Sequence, residues 1–295
     1  MPSKISIILP CRNEAVPLQG LLARIRQVLP EAEVLVVDDA STDASAAVCT
    51  AAAVRLIHHP YQKGNGAAIK SGVRAATGDI LVFMDADGQH DPADIPRLLE
   101  RLHQGFDMVV GARRSASQAT VARGLANRIY NQLATYMTGQ PVLDLTSGFR
   151  AARAERFLEF LYLLPNGFSY PTTSTMAFFR AGYDVSYVPI TAGQRTGKSH
   201  LRPLQDGVRF LLIIFKIGTL YSPLKIFVPV SLLFFLLGVG YWVYTYTLAL
   251  RLSIMTVFML TTAVVVFLIG LVSEQITQLM YRPINAPEKP RAPMP

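Results

Sequence analysis

Two carboxylates one residue apart close an apolar run in Ile80-Leu-Val-Phe-Met-Asp85-Ala-Asp87-Gly-Gln89-His-Asp91. Hard oxygen ligands at that spacing suit Mg²⁺ or Mn²⁺, and Mg²⁺ commonly binds through one or two carboxylates together with substrate phosphates. The same residues also suit a strand running into a solvated turn, since Asp and Gly are frequent turn residues. Other charged groups recur at the ends of apolar runs. Asp38-Asp39 follow Val34-Leu-Val-Val37, Arg113-Arg114 follow the run Phe106–Val110, and a basic loop reads Arg195-Thr-Gly197-Lys198-Ser199.

The elements that must position these groups alternate. Lys4–Leu9, Val34–Val37, Val54–His58, the run before Asp85, and Phe106–Val110 read as strands. Between them lie helical patterns: one opened by Pro17, one capped by Ser41 or Asp43, and an Ala-rich one after Gly64-Asn65-Gly66. A further helix spans Asp94–Gly105. Such alternation predicts an α/β domain with a mostly parallel sheet, whose ligands sit beyond the carboxyl ends of the strands. Glycine at the start of the Ala-rich helix allows its backbone to approach a ligand or the sheet closely. No Gly-x-Gly-x-x-Gly follows the first strand and no Walker loop occurs, so phosphate recognition falls to the acidic strand ends and a metal bridge. Further helices are expected at Arg123–Thr138, Leu158–Leu164 and Thr172–Ala181, with a short strand at Val185–Pro189.

Charge is unevenly spread along the 295 residues. Residues 226–250 and 252–273 carry no charged side chain, and each run is long enough to cross hydrocarbon as a helix. Tyr241, Trp242, Tyr244 and Tyr246 fall where an aromatic belt would lie. Gln205–Leu220 fits a helix in the interface plane. Lys216, Lys225, Arg282, Lys289 and Arg291 flank the hairpin on one side and Arg251 alone lies at its far turn. Both termini are therefore expected in the cytoplasm. The organisation expected is a catalytic-sized domain over 1–203, a juxtamembrane helix over 204–222, a transmembrane hairpin over 223–276 and a Pro-rich tail over 277–295.

The start, Met-Pro-Ser-Lys, lacks an apolar leader, so the large domain is expected to stay cytoplasmic at the cell membrane. The formal net charge of +8 is then explained by anionic lipid or phosphorylated substrate. Nucleic acid is not expected, for want of a basic arm, zinc-finger spacing or basic-aromatic alternation. Cys11 and Cys49, the only cysteines, form neither a disulfide framework nor a metal pair.

With these residues in view, the chain resembles the inverting GT-A-fold glycosyltransferases of family 2, in particular the membrane-attached polyprenyl-phosphate and dolichyl-phosphate sugar transferases. The resemblance covers residues 4–200. It rests on Pro10-Cys-Arg-Asn13-Glu14, Asp38-Asp39-Ala-Ser41-Thr-Asp43, Gly64-Asn-Gly-Ala67 and Asp85-Ala-Asp87-Gly-Gln89, followed in order by Val110-Gly-Ala-Arg113, Asp144-Leu-Thr-Ser-Gly-Phe-Arg150 and Arg195-Thr-Gly-Lys-Ser199. It implies that a nucleotide-diphosphate sugar is held by Pro10, Asn13, Glu14, Asp38 and Asp39, with Asp39 the better choice for base or ribose. It implies Mg²⁺ or Mn²⁺ at Asp85, Asp87 and Gln89. Arg113 and Arg123 are implied at the phosphate of a polyprenyl-phosphate acceptor, with Arg114 or Arg128 as alternatives to Arg123 and Asn127 a polar helper. Arg195 and Lys198 are implied on a loop that closes over the diphosphate. Asp87 and Asp144 are candidates for orienting sugar or acceptor.

A lipid phosphate has its second pKa near ~6 and needs no strong general base, and in-line displacement should invert the anomeric configuration. The chain departs from many relatives where they carry an acid in the helix before the basic loop. Here stands Phe168-Ser-Tyr-Pro-Thr172-Thr-Ser-Thr175, a run of hydroxyls that suits either sugar contact or a helix start. A family 2 enzyme acting on a saccharide hydroxyl would be expected to carry Gln-x-x-Arg-Trp and more membrane helices, whereas the only tryptophan is Trp242 within a span. A non-catalytic nucleotide-sugar-binding module is the other alternative. Apolar hairpin surface is compatible with a homo-oligomer.

Overall fold

The computed structural model describes residues 3–113, 121–167, 169–191, 193, 215, 218–249 and 253–281, with only the backbone for 121–127 and 249. It comprises two compact units, Met1–His200 and Leu201–Pro295.

The first unit is built on one sheet of seven strands. In chain order its elements are β1 (Ile5–Cys11), α1 (Ala15–Val28), β2 (Glu33–Asp38), α2 (Ser45–Ala51), β3 (Arg55–His58), α3 (Asn65–Ala75), β4 (Ile80–Phe83) and α4 (Ile95–His103). They continue with β5 (Met108–Arg113), α5 (Val121–Thr138), β6 (Arg150–Arg153), α6 (Ala154–Leu158), α7 (Tyr170–Arg180) and β7 (Val185–Ile190). The sheet order is β3-β2-β1-β4-β6-β5-β7. Every pairing is parallel except those of β6, which runs antiparallel between β4 and β5. The carboxyl ends of the parallel strands and the amino end of β6 therefore share one edge.

Local chemistry explains the elements. β1, β2 and β4 are near-continuous apolar runs because helices cover both faces of the sheet. α1 buries Leu18, Leu21, Leu22 and Ile25, and α4 buries Ile95, Leu98, Leu99 and Leu102, one apolar stripe each. These stripes and the β1, β2 and β4 side chains form one core. Asp43, rather than Ser41, receives the first-turn Ser45 N–H of α2 at 3.0 Å, while the Ser41 hydroxyl accepts from Asn13 N at 2.9 Å.

Several elements differ from expectation. β6 reads Arg-Ala-Ala-Arg, poor in strand-forming residues, and exists because both of its neighbours pair with it. The helix expected at Leu158–Leu164 divides into α6 and a 3₁₀ turn at Leu161–Leu163. The expected Asp94–Gly105 helix becomes a 3₁₀ turn over Pro92–Asp94 followed by α4. α7 starts two residues earlier than expected, with Pro171 in its first turn, where a missing N–H costs nothing.

In the second unit, α8 (Leu224–Ala249) and α9 (Ile254–Met280) have 26 and 27 residues. At ~1.5 Å per residue each spans ~40 Å, enough for a ~30 Å hydrocarbon layer. α9 runs past Ser273, where the span was expected to end, because Glu274 continues the helix without breaking its backbone bonds. Thr256, Ala263, Gly270 and Thr277 recur every seventh residue as its buried stripe. Small side chains there let the helices approach closely. A Cβ on Gly270 would lie 2.7 Å from Phe227 Cβ, and Ser231 Oγ donates to Ala263 O at 2.8 Å. The outward faces are apolar, including Leu233, Leu236, Phe258 and Val264. The interfacial helix expected at 205–220 and the Pro-rich tail lie almost wholly outside the described residues.

Candidate active site

Two loops at the β1 and β2 ends are stitched together. Cys11 pairs with Asp38 at the end of the β1–β2 register. Asn13, at φ 55°, accepts through Oδ1 from Thr42 N at 2.8 Å. Ala15 N donates to Asp43 at 3.0 Å and Glu14 N to Ser45 Oγ at 3.1 Å. Pro10 is buried within β1, so its contribution is to fix where Asn13 and Glu14 emerge.

Asp38 and Asp39 are both buried and both occupied. Asp38 accepts from Ser41 N at 3.0 Å and lies 2.9 Å from His58 Nδ1. Asp39 takes Lys63 N and Gly64 N, each at 2.8 Å, and lies 2.8 Å from the Nδ1 of buried His59. His59 Nε2 in turn is 2.8 Å from Ser71 Oγ. Burial acts to raise the Asp39 pKa, but the hydrogen bonds from His59, Lys63 and Gly64 outweigh it and hold the carboxyl below its usual range. An ionised Asp39 accepts from His59 Nδ1, and the other ring nitrogen shares a hydrogen bond with Ser71 Oγ. A carboxylate offers about four lone-pair sites, so three donors leave room for one more.

The glycines opening α3 approach protein backbone rather than open space. Gly66 N donates to Gly167 O and Ala67 N to Asn166 O, both at 3.1 Å. A Cβ on Gly64, at φ 102°, would collide with Asn166 O, and one on Gly66 with Pro165 O. The close approach inferred from the sequence is therefore met by the turn at 165–167.

Beyond β4 the picture changes. Burial, and the neighbouring charge of Asp87, push the Asp85 pKa up, although His90, Asn65 and Arg113 act against the rise. Gln89 N bonds Asp87 Oδ1 at 3.1 Å, across Gly88 at φ 74°. His90 is buried, stacked on Phe149 with ring centroids 5.2 Å apart. Burial lowers its pKa against the pull of Asp85 and Asp87. Buried polar atoms without a hydrogen-bond partner gather in this neighbourhood: Asn65 Oδ1, His90 Nδ1, Ser147 Oγ and Arg150 Nε.

Among the described residues, no three His, Cys, Asp or Glu side chains form a closed metal cluster. Two carboxylates with a nearby amide instead fit a hard divalent cation that completes its shell from phosphate oxygens and water. Asp85 and Asp87 could hold it, and Gln89 lies alongside.

Arg113, at the end of β5, is held as a fork. Its Nε bonds Asp144 Oδ2 at 2.8 Å and its Nη2 bonds Asp144 Oδ1 at 3.0 Å. Nη2 also bonds Thr146 Oγ1 at 2.7 Å, and Arg113 N donates to Asp144 at 3.1 Å. Burial opposes ionisation of Asp144, but the Arg113 bonds and charge keep its carboxyl below the usual range. Asn131 fixes the backbone on either side, donating to Leu143 O at 2.6 Å and accepting from Leu145 N at 3.0 Å. Asp144 thus sets the guanidinium plane, and Nη1 is the corner that neither Asp144 nor Thr146 engages.

The hydroxyl run of α7 serves the interior. Ser174 Oγ and Thr175 Oγ1 face Arg150 Nη1 at 2.7 and 3.1 Å, and Thr173 bonds Ser169 O at 3.1 Å. Thr172 lies 3.5 Å from Leu145 O.

The structure thus brings Asn13, Glu14, Asp38, Asp39, Asp85, Asp87, Gln89, Arg113 and Asp144 to one sheet edge. The Arg123 and Asn127 side chains, Arg114, Arg195 and Lys198 lie outside the described residues. Gly193 N, just before the basic loop, bonds Gln89 O at 2.8 Å. The sequence assigned no role to His59, His90, Asn131, Thr146 or Arg150. His90 lay in the acidic stretch, and Thr146 and Arg150 in the Asp144–Arg150 segment, whereas His59 and Asn131 carried no signal.

Residues 6–160 match the model of "Glycosyl transferase family 2" and residues 222–279 that of "GtrB C-terminal hairpin". Undecaprenyl-phosphate mannosyltransferase of Micrococcus luteus is 33% identical over 206 residues, 65% of this chain and 84% of that one. Undecaprenyl-phosphate 4-deoxy-4-formamido-L-arabinose transferase of Photorhabdus laumondii is 36% identical over 162 residues, 51% of this chain, and the match spans 49% of its own length. Among solved structures, glucosyl-3-phosphoglycerate synthase from Mycobacterium tuberculosis with Mn²⁺, UDP and glucosyl-3-phosphoglycerate aligns at TM-score 0.58 and 23% identity. That alignment covers 73% of this chain and 78% of that one. The same enzyme has also been solved with Mg²⁺ and UDP. With the family model matched across more than half its length, the chain belongs to glycosyl transferase family 2 and carries a GtrB-type C-terminal hairpin.

Proposed function

We propose that this glycosyltransferase moves a sugar from a nucleotide-diphosphate donor to a membrane polyprenyl phosphate, with inversion at the anomeric carbon. The observation that carries the reading is the edge shared by two unlike groups: the acidic pair beyond β4, and the Arg113 fork set by Asp144 at the end of β5. One side suits a cation with a diphosphate; the other suits a phosphate oxygen. The hairpin match and the undecaprenyl-phosphate relatives support a lipid acceptor.

Pro10, Asn13, Glu14, Asp38 and Asp39 form the donor nucleotide's side of the cleft, with the remaining acceptor site of Asp39 for base or ribose. Asp85, Asp87 and Gln89 hold Mg²⁺ or Mn²⁺, as the Mn²⁺ and Mg²⁺ complexes of the solved relative support. When bound, the cation stabilises charge on the leaving diphosphate. Arg113, with Arg123 from α5, aligns the acceptor phosphate, and rigid guanidinium forks suit its oxygens. Arg195 and Lys198 are assigned to the diphosphate; Gly193, two residues before Arg195, is tied to Gln89 of the acidic stretch. Asp144 takes no proton: held ionised below the usual carboxylate range, it is a poor base and serves to orient Arg113. A phosphate nucleophile needs none.

Residues 1–203 form the catalytic domain, 204–222 a juxtamembrane helix, 223–276 the hairpin and 277–295 a tail, with both termini cytoplasmic. Holding the cleft at the leaflet that carries the acceptor confines the search and supplies proximity. The test is a screen of nucleotide sugars with purified chain, polyprenyl phosphate and Mg²⁺ or Mn²⁺, read by mass spectrometry of the lipid product. A sugar-lipid from one donor, absent with Asp87→Ala, is expected. Product only on a saccharide hydroxyl would overturn the acceptor assignment, and bound donor without any product would point to a non-catalytic module.

A further inference from the structure

Arg150 is fully buried at the amino end of β6, directly across from Phe83 in the β4–β6 register. Its charge is met by neutral groups. Nη1 donates to Pro171 O at 2.8 Å, Ser174 Oγ at 2.7 Å and Thr175 Oγ1 at 3.1 Å, and Nη2 donates to Ser147 O. Nε has no partner, and the guanidinium sits 5.8 Å from the centre of the Tyr170 ring. Among the described residues no carboxylate lies within ion-pair distance; Asp144 and Asp85 act on it only through space.

A buried charge paired with no opposite charge is expensive, and an apolar side chain of the same volume is usually cheaper. Something other than stability keeps it. The bonds of Arg150 and its neighbour show what that is. Arg150 grips the carbonyl of Ser147, and Tyr170 OH donates to the next carbonyl, Gly148 O, at 3.2 Å. Gly148 lies hard against the acidic pair, since a Cβ there would stand 2.7 Å from Asp85 Oδ2. The Ser147–Gly148 backbone is thus a wall against Asp85, clamped from behind by Arg150 and Tyr170.

We propose that Arg150 is a positioning residue: through Ser147 and Gly148 it fixes the Asp85 carboxylate in place for the divalent cation. The inference rests on the assignment of that cation to Asp85 and Asp87. The hydroxyls of Ser174 and Thr175 belong to the same device. They solvate the guanidinium without neutralising it.

The test is Mn²⁺ binding to the full chain in detergent, followed by electron paramagnetic resonance of the free ion, with thermal melting in parallel. Wild type should bind and Asp87→Ala should not; a wild type that fails to bind would remove the cation assignment and this inference with it. Arg150→Met should weaken Mn²⁺ binding about tenfold, the lower end for residues supporting a metal ligand, without lowering the melting temperature. Arg150→Lys should recover part of the loss. The sign is diagnostic, because deleting a positive charge near a cation would by itself tighten binding. Unchanged or tighter binding in folded Arg150→Met overturns the proposal, as does a fall in melting temperature with normal affinity. Should Arg150→Met not fold, Tyr170→Phe decides, since it removes only the bond to Gly148 O: about two- to threefold weaker binding supports the clamp, and wild-type affinity refutes it.

Discussion

Asp38 and Asp39 at the end of β2 are wrapped by the protein's own donors, whereas Asp85 and Asp87 beyond β4 stand among polar atoms that lack partners. Asp39 receives two backbone N–H groups and an imidazole, and its pKa falls. Asp85 is crowded by Asp87 and by low-dielectric surroundings, and its pKa rises. Paired acids at a strand end thus do two different jobs. The first pair locks together the loops at the ends of β1, β2 and β3, where the donor nucleotide is proposed to bind. The second stores unfavourable charge that a cation would relieve.

The sharpest way to break this contrast is to delete one acid from each pair. Asp85→Ala should reduce turnover by roughly 10³-fold, the scale expected when charge stabilisation at a leaving group is lost. Its melting temperature in the absence of metal should not fall, because the removed carboxylate is one the fold penalises. A large destabilisation would show that Asp85 is structural. Asp39→Asn should do the reverse, costing roughly 1–3 kcal/mol in denaturant unfolding, since its amide nitrogen would face a donor: either Gly64 N–H at the Oδ2 position, or His59 and Lys63 N–H at the Oδ1 position, loses its acceptor. A fully stable Asp39→Asn would mean that those bonds carry little.

Acid titration sharpens the same contrast at intermediate size. Unperturbed Asp titrates near ~3.9. The folded pKa values of Asp39 and Asp144 lie lower, so their stabilisation is complete above that value and is lost as pH falls through the folded ones. Asp85, with a raised folded pKa, acts oppositely: stability declines as pH rises from the unfolded value through the folded one. Asp144→Asn should therefore remove part of the acid sensitivity and cost roughly 2 kcal/mol at neutral pH, because Arg113 loses its partner. Asp85→Asn should flatten the decline on the way to neutrality. Unfolding free energies measured from pH 3 to 8 on wild type and both variants would check both signs. Identical pH curves for all three would refute the assigned shifts.

Much of this was legible in the residues themselves. Apolar runs ended by acids marked the strands and their functional ends, because a sheet covered on both faces leaves little room for anything but Val, Ile and Leu inside. The charge-free runs marked the hairpin for the same reason of solvent. Arg113 was recognisable, but its tie to Asp144, 31 residues along the chain, was not, because no local pattern encodes a contact between the end of β5 and the segment before β6. β6 itself was invisible: Arg-Ala-Ala-Arg has no strand preference and pairs only because β4 and β5 leave it a slot. The Thr172–Thr175 run was noticed and its purpose missed, since the partner is a fully buried arginine that sequence rules place at the surface.

The smallest prediction concerns the residue between the β2 acids and the loop they hold. Ala40 sits at φ 58°, a conformation that costs an L-residue about 1–2 kcal/mol. Glycine avoids that cost but loses more chain entropy on folding, up to about 1 kcal/mol. Ala40→Gly should therefore stabilise the chain by roughly 0.5 kcal/mol while leaving donor affinity unchanged. The Ser41 N–H bond to Asp38 and the Lys63 and Gly64 bonds to Asp39 fix the carboxylates without help from the Ala40 methyl group. If donor affinity instead fell with no change in melting temperature, the strain at Ala40 would be part of how the nucleotide side of the cleft is held ready. The β2 acids would then resemble those beyond β4 more closely than their hydrogen bonds suggest.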